Sequence, residues 1–295
     1  QEADSPRERT FTPETGRYQI DVHQIGYRTP IGESWYLASE LQYETMSGAS
    51  PTQTYKDDNK SVLTMSGASI EEQRIDIKLA PKKYLVHGSL GGLVALSKEN
   101  DYQSFTLGSD GSLEIFNKHT TLIGSLSVSY DELSPTDADL STSRAAADGE
   151  IKRSFSIYEG ISQVIDKHST LQVGVGYTQL SGYLSDPYKF EDRRPDERDQ
   201  FSLTAQYSHY RNLFDGAALH SSLRYYYDDW GISSHVLEVK WAQQFNLANY
   251  RFIITPLARY YTQTEADFYS LEKHPTDDQL NSSDYRLSSY GAITL

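Results

Sequence analysis

Cysteine is absent from the 295-residue chain, and no stretch approaches the roughly 18 to 20 consecutive apolar residues of a membrane-spanning helix. The first absence excludes disulfides, thiolate metal sites and covalently attached haem. The second leaves two fold classes open. The mean hydropathy of −0.61 suits a soluble β-sandwich, and it equally suits a transmembrane β-barrel, in which lipid-facing and lumen-facing residues alternate and cancel.

An excess of basic residues is also lacking. The chain has 41 acidic and 27 basic residues, which gives a formal net charge of −14. Nucleic-acid binding needs a basic stripe or patch, so the charge argues against a nucleic-acid partner. If the chain encloses an open pore, the acidic balance favours the passage of cations.

Tyrosine, by contrast, is abundant, with 23 Tyr against 10 Phe and 3 Trp. A tyrosine side chain combines an apolar ring with a polar hydroxyl, so it suits positions where the ring contacts apolar groups and the hydroxyl contacts water. Two interpretations follow from this composition. The tyrosines belong either to an ordinary sheet surface rich in β-formers or to aromatic girdles at two membrane interfaces.

Apolar and polar residues alternate along most of the chain, as in the run where Leu126, Val128 and Tyr130 alternate with Ser127 and Ser129. The alternation predicts about thirteen strands, many of about ten to fifteen residues. Globular strands average about 5 to 6 residues, whereas a strand tilted across a bilayer needs about 9 to 11. Strand length therefore favours a barrel. Pro256 predicts a bulge or a weak point within its strand, because proline lacks a ladder donor.

Short and long connections alternate between the predicted strands, and one of the short turns is predicted at 80–82. Together these features predict an all-β protein: a transmembrane antiparallel up-and-down β-barrel of about 14 strands, or 16, with short periplasmic turns and long extracellular loops. We expect residues 1–295 to form one outer-membrane domain in which residues 1–16 are loop. Because bacterial barrels have an even strand number, we also expect a strand beyond one or both ends.

The parity of the strands predicts which charged side chains face the lumen. These residues occupy the positions that alternate with apolar ones, and a polar lumen needs such a ladder of mixed charge. The predicted lumen-lining residues are Arg74, Asp76, Lys78, His220, Arg224, Glu238, Lys240, Arg251 and Arg259.

Three loop segments carry distinctive motifs, namely SGASP at 47–51, GYLSDPYK at 182–189 and YYYDDW at 225–230. The residues predicted to form the extracellular rim are Ser47, Gly48, Ser50, Pro51, Gly182, Tyr183, Asp186, Pro187, Asp229 and Trp230. One interpretation is turn chemistry, because Asp before Pro initiates turns. The other is a Ca²⁺ site, because Ca²⁺ takes oxygen ligands. The calcium candidates are Asp186, Asp192, Asp228, Asp229 and Asp267.

With these motifs the chain resembles, from about Ser47 to its C-terminus, a bacterial outer-membrane β-barrel family catalogued as a domain of unknown function. The resemblance implies a location in the outer membrane of Gram-negative bacteria, in contact with outer-membrane lipid. It also implies genes for a small lipoprotein, a thioredoxin-like protein and a flavin transferase nearby, and hence a role in extracytoplasmic electron transfer. It supplies no catalytic residue.

Several functions remain open at this point. A non-enzymatic barrel could act as a channel, or as a sleeve or scaffold for a partner such as a small lipoprotein or redox protein. An outer-membrane enzyme of the lipid-hydrolase type needs a nucleophilic serine oriented by a histidine, and no local motif singles one out. The long loops would also suit a surface adhesion protein.

Overall fold

The structure is a computed structural model that describes residues 18–49, 51–58, 60–66, 70–136, 138, 142–276 and 278–295. The strands run in the order β1 (Tyr18–Ile31), β2 (Trp35–Gly48), β3 (Pro51–Asp57), β4 (Lys60–Met65), β5 (Ile70–Leu85), β6 (Gly88–Glu99), β7 (Tyr102–Ile115), β8 (Thr120–Leu133), β9 (Ile151–Asp166), β10 (Ser169–Gly182), β11 (Glu197–Arg211), β12 (Ala217–Asp228), β13 (Ser233–Leu247), β14 (Tyr250–Ile254), β15 (Leu257–Gln263) and β16 (Tyr290–Thr294). A short helix, α1 (Thr142–Ala147), and a 3-10 turn (Tyr285–Leu287) lie between strands. In these ranges no helix is long and apolar enough to cross a membrane.

Fourteen of the strands form one antiparallel sheet in which each strand pairs with its neighbours along the chain, and β3 and β4 form a separate hairpin between β2 and β5. The predicted all-β, up-and-down architecture of about 14 strands is therefore confirmed. Both β14 and β15 pair with β13, so together they occupy the place of one interrupted strand. The interruption falls at Pro256, as its missing donor predicts, and the Pro256 carbonyl accepts a hydrogen bond of 3.1 Å from the Trp241 amide.

Short and long connections do alternate between the two ends of the sheet. At one end the turns are short, and the connection 116–119 is held by three consecutive residues with positive φ, Phe116, Asn117 and Lys118. At the other end lie the connections 49–69, 134–150, 183–196, 229–232 and 264–289. The two-residue connection 100–101 and the four-residue connection 229–232 are the exceptions in length at that end. Most of the described residues outside the sheet thus lie at one end of it.

The turn predicted at 80–82 is wrong. β5 continues through these residues to Leu85, and the turn to β6 lies at Val86 and His87. Pro81 fits inside the strand because the β5–β6 ladder skips a step between the pairs Leu79–Val94 and Lys82–Gly91. Proline has no backbone N–H to donate, and at this step β6 forms no ladder pair that would need one.

The two faces of the sheet differ sharply in polarity. One row of mutually paired residues, each between 40% and 69% exposed, crosses six strands on the outer face and consists of Ile25, Leu41, Ile77, Leu96, Phe105 and Tyr130. The adjacent row on the opposite face is polar and consists of Gln24, Gln42, Asp76, Ser97, Ser104, Asp131 and Lys152. In that row Asp76 and Asp131 are buried. The sheet therefore hides its polar side chains and exposes its apolar ones.

Backbone geometry at the end of β10 depends on one glycine. Gly182 has φ of +101°, and a Cβ added there would overlap the carbonyl oxygen of Ile151. Only glycine tolerates this combination of dihedral angle and close backbone approach. It lets the chain leave the sheet and enter the connection 183–196.

Replacing Gly182 with alanine should lower the free energy of unfolding by about 1 to 3 kcal/mol, because the new Cβ strains the backbone and displaces Ile151. Gly26 is the matched control, since it lies in β1 with open space where its Cβ would be. Urea unfolding of both variants under the same solution conditions measures the difference. Equal losses for Gly182→Ala and Gly26→Ala would contradict the assigned role.

Candidate functional site

The long connections at one end of the sheet pack together into a single structure, which we call the cap. It comprises 183–196, 229–232 and 264–289, without residue 277, and it is joined by the β3–β4 hairpin. The Phe190 amide donates to the Thr52 carbonyl over 2.9 Å, and the Lys56 amide donates to the Leu271 carbonyl over 2.9 Å. Loops that share backbone hydrogen bonds in this way form one connected structure rather than independent loops.

The cap contains the apolar core of the described part of the chain. Its buried apolar cluster consists of Trp230, Ile232, Ala266, Phe268 and Leu287. The Trp230 ring meets the Phe268 ring edge-on at 5.1 Å, and the Arg198 guanidinium lies 4.2 Å from its centre. The indole N–H donates to the Glu197 carbonyl over 2.9 Å, so the one polar atom of the ring is satisfied. Trp230, predicted as a rim residue, is the centre of this core.

Asp228, at the end of β12, anchors the cap to the sheet. Its fully buried carboxylate accepts hydrogen bonds from Arg198 over 2.5 Å and from the Tyr226 hydroxyl over 2.6 Å. It also accepts from the backbone amides of Trp230 and Ile232 over 3.1 and 2.9 Å. Charge-assisted hydrogen bonds of this kind are the strong ones, and here they define the connection 229–232.

Inside the cap, three aspartates alternate with two arginines. Arg194 pairs with Asp192 at 2.8 Å and with Asp284 at 3.1 Å, and Arg286 pairs with Asp284 at 2.5 Å and with Asp186 at 3.2 Å. Burial raises the pKa of Asp192, against the opposing effect of Arg194. Burial also acts to raise the pKa of Asp284, but hydrogen bonds and charge from Arg286 outweigh it and lower that pKa below its ordinary value.

The five predicted calcium ligands do not form one group. Asp186 and Asp192 share the arginine network, and the Asp186 amide donates to the Asp192 carboxylate over 2.5 Å. Asp228 is engaged by Arg198, Asp229 accepts from the Asp199 amide over 2.9 Å, and Asp267 lies beside Gly231. No group of three or more acidic or histidine side chains within the described ranges is arranged to hold a metal ion. Calcium binding stays a prediction.

The other predicted rim residues lie around this end of the sheet. Ser47 and Gly48 end β2, Pro51 begins β3, and Ser50 lies outside the described residues. The Pro51 carbonyl accepts from Lys189 over 3.2 Å. The Asp186 carboxylate accepts from the Tyr188 amide over 3.0 Å, spanning Pro187 as an Asx turn does.

Tyr183 follows the strained Gly182. Its amide donates to the Ile151 carbonyl over 3.0 Å, and its hydroxyl is 3.5 Å from the Ser143 carbonyl beside α1. Burial raises the pKa of Tyr183 to about 12. The first two rim motifs therefore make turns and hydrogen bonds that hold connections together.

Beneath the cap the polar face of the sheet lines a cavity of about 690 Å³. Leu93 of β6 and Arg259 of β15 both line it, so strands far apart in the sheet order lie around the same space. Ile232 and Arg286 of the cap also line it, which places the cap at one end of the cavity. Of the residues predicted to face a lumen, Arg224 and Arg259 line this cavity.

The remaining predicted lumen residues lie on the same polar face, mostly as ion pairs. Arg74 pairs with Asp76 at 2.8 Å, Lys78 with Glu40 at 3.4 Å, and Lys240 with Glu238 at 2.8 Å. The His220 ring is 3.0 Å from the Ser208 hydroxyl. Arg251 lies near the short-turn end of the sheet, where it is the ladder partner of Asn246.

Sequence reasoning missed the arginines of the cap. Arg194, Arg198 and Arg286 each satisfy a buried aspartate, yet only the acidic partners stood out in the loops. A signal existed in the dense run EDRRPDERD at 191–199, where three arginines stand among five acidic residues. Partners such as Arg194 and Asp284 are 90 positions apart, however, so no local pattern could have paired them.

One serine–histidine pair bears on the enzyme alternative. The Ser169 hydroxyl is 2.9 Å from Nδ1 of His209 and donates to Asp166 over 3.2 Å. In a hydrolase the carboxylate holds the other histidine nitrogen, whereas here it contacts the serine. Ser169 is also buried, with 3% exposure, so a substrate has no access to its hydroxyl. The pair serves the turn between β9 and β10.

Replacing Asp228 with asparagine should destabilise the cap by about 1.5 to 3 kcal/mol, because the partly buried Arg198 loses its counter-charge and its charge-assisted hydrogen bonds. Urea unfolding can be followed by Trp230 emission in a chain whose Trp35 and Trp241 are replaced by phenylalanine. Asp229→Asn is the matched control, since an asparagine oxygen can still accept from the Asp199 amide. A shift of similar size in both variants would count against the anchoring role.

The comparisons with known proteins bear on the family alone. No curated protein matches the chain. The family described as "Protein of unknown function (DUF3570)" matches residues 9–295, which is nearly the whole chain. This confirms the predicted membership of a family of unknown function, and the chain belongs to DUF3570.

Proposed function

We propose that the chain is a non-enzymatic β-barrel of the Gram-negative outer membrane and acts as a channel for small polar solutes. The observation that carries the proposal is the inverted polarity of the sheet. Apolar side chains are exposed across six adjacent strands, while charged and hydroxyl side chains of the opposite face line the cavity. A soluble protein would bury the first face and expose the second, whereas a membrane barrel does the opposite.

Outer-membrane lipid is the partner that this surface suits. The exposed apolar rows include aliphatic residues in the middle of strands and tyrosines such as Tyr27, Tyr130 and Tyr227. Acyl chains solvate the aliphatic residues, and tyrosine rings suit the interface between lipid and water. The strands have 12 to 16 residues between β5 and β13, enough to cross a bilayer at a tilt.

The cap lies at one end of the cavity, so it can control the passage of solutes through the proposed channel. Ile232 and Arg286 belong to the cap and line the cavity, and the cap is anchored by the buried pair of Arg198 and Asp228. A sleeve or scaffold that holds a small lipoprotein or a redox protein, and a role in electron transfer, stay predictions from the family resemblance. The channel is preferred because the cavity is lined by side chains suited to water and ions.

The membrane location is tested by Leu107→Arg. Leu107 is 43% exposed and pairs with Val94 and Val128 on the apolar face, near the middle of β7. An arginine at the bilayer midplane costs about 2 to 4 kcal/mol. We expect that loss in the free energy of unfolding from lipid vesicles.

Thr106→Arg is the control for this experiment, because Thr106 is the next residue and faces the polar side with its partner Ser129. It should change the free energy of unfolding by less than about 1 kcal/mol, since an arginine there meets water. If Leu107→Arg is as stable in vesicles as Thr106→Arg, the apolar face does not contact lipid and the proposed location is wrong.

Channel activity is tested in planar lipid bilayers. The intact chain should give discrete single-channel steps, because the polar cavity offers ions a hydrated path. Asp228→Asn should increase the time spent in the open state, since it loosens the cap at one end of that path. Protein that inserts, as judged by protection of its strands from protease, but gives no steps would overturn the channel proposal.

A further inference from the structure

The cavity beneath the cap is rich in positive charge although the chain as a whole is acidic. Four arginines and one aspartate line it, namely Arg198, Arg224, Arg259, Arg286 and Asp110. The formal net charge of the chain is −14. Screening limits each charge to a range of about 8 Å in physiological salt, so the local arginines decide which ions are attracted inside the cavity.

Three of these five charges are already neutralised within the protein. Arg198 is paired with Asp228 at 2.5 Å, Arg286 with Asp284 at 2.5 Å, and Asp110 with Lys82 at 2.8 Å. Arg224 and Arg259 differ from these residues. Neither makes a hydrogen bond or an ion pair with another residue in the described ranges, and both side chains are exposed to the cavity. Two guanidinium groups are thus free to bind a solute.

The sheet register places these two arginines on either side of β13. Arg224 of β12 is the ladder partner of Val236, and Arg259 of β15 is the ladder partner of Glu238, two residues further along the same face. Adjacent strands are about 4.8 Å apart and residues rise about 3.4 Å along a strand, so the two-strand and two-residue steps separate the two backbones by about 12 Å. Arginine side chains can span that gap and meet at one bound group.

The surroundings of the two arginines leave room for a ligand. Val236 lies between them and fills little space, and Ser234, Tyr261 and Gln263 line the same part of the cavity. The nearest carboxylate on this face, Glu238, is paired with Lys240 at 2.8 Å. The cavity volume of about 690 Å³ falls in the range of small-molecule sites.

We propose that Arg224 and Arg259 form a binding site for oxyanions of the phosphate class inside the cavity. Guanidinium groups present paired N–H donors that match the oxygens of phosphate, and two such groups can bind one tetrahedral anion from two sides. The inference rests on the proposed channel function, because it identifies the class of solute that the channel would carry. It predicts selection of anions, whereas the acidic composition of the chain favours cations. Rings of arginine are a known means of selecting anions in pores.

Binding of inorganic phosphate to the chain folded in zwitterionic detergent, measured by titration calorimetry, tests the site. The double variant Arg224→Gln/Arg259→Gln removes the charge-assisted hydrogen bonds of both guanidinium groups, so it should raise the Kd by at least about tenfold. Arg251→Gln is the control. Arg251 lies on the same polar face and has no hydrogen bond or ion pair within the described ranges, but it does not line the cavity. Its Kd should stay within about twofold of the original value.

The outcomes separate the site from the channel. Absence of phosphate binding by the folded chain, or an equal loss in Arg251→Gln, would overturn the anion site. Arg224→Lys/Arg259→Lys keeps both charges, so partial recovery of binding supports the site even where the glutamine variant folds poorly. Because binding is measured in detergent, a chain that gives no bilayer conductance still yields a Kd. A chain that conducts without binding phosphate loses only the anion site.

Discussion

The two-residue period of the β-strand is the constraint on which the rest of this structure depends. Every hydrogen-bonded pair in the ladder puts two side chains on the same face, so a register that aligns Ile77 with Leu96 also aligns Asp76 with Ser97. Repeated across the sheet, this produces one continuous apolar face and one continuous polar face. A slip of one residue in any strand would place a charged side chain among the exposed aliphatic ones.

The inverted polarity moves the apolar core out of the sheet. Five of the seven buried apolar side chains in the described part of the chain belong to the cap, around Trp230. The sheet is held by its backbone ladder and by side-chain pairs on its polar face, such as Ser104 with Asp131 at 2.6 Å. The cap needs its own means of stability because irregular backbone leaves many polar groups to satisfy. It obtains this from a small apolar cluster and from aspartates buried against arginines.

The charged side chains of this structure fall into two groups: those that stabilise the fold and those that can bind a solute. Asp228 and Asp284 are buried and bound by arginines, so their role is to hold the cap in place. Arg224 and Arg259 line the cavity without a hydrogen-bond or ion-pair partner among the residues that the structure describes. Charges of both kinds occur within a few residues of each other along β11, β12 and the cap. Their different roles follow from which positions the sheet closes off and which it leaves facing the cavity.

The sequence by itself determined the strand pattern, the interruption at Pro256, the gathering of long connections at one end and the polar side of each strand, because all of these depend on near neighbours in the chain. It misplaced the turn after Leu79, since the ladder gap that accommodates Pro81 belongs to the neighbouring strand. Only the tertiary structure decided that the acidic loop residues meet arginines, as Asp284 meets Arg194 across 90 positions. It also decided that Arg224 and Arg259 flank the same strand, unpaired within the described part of the chain, because the strand register, and no local pattern, sets which distant side chains meet.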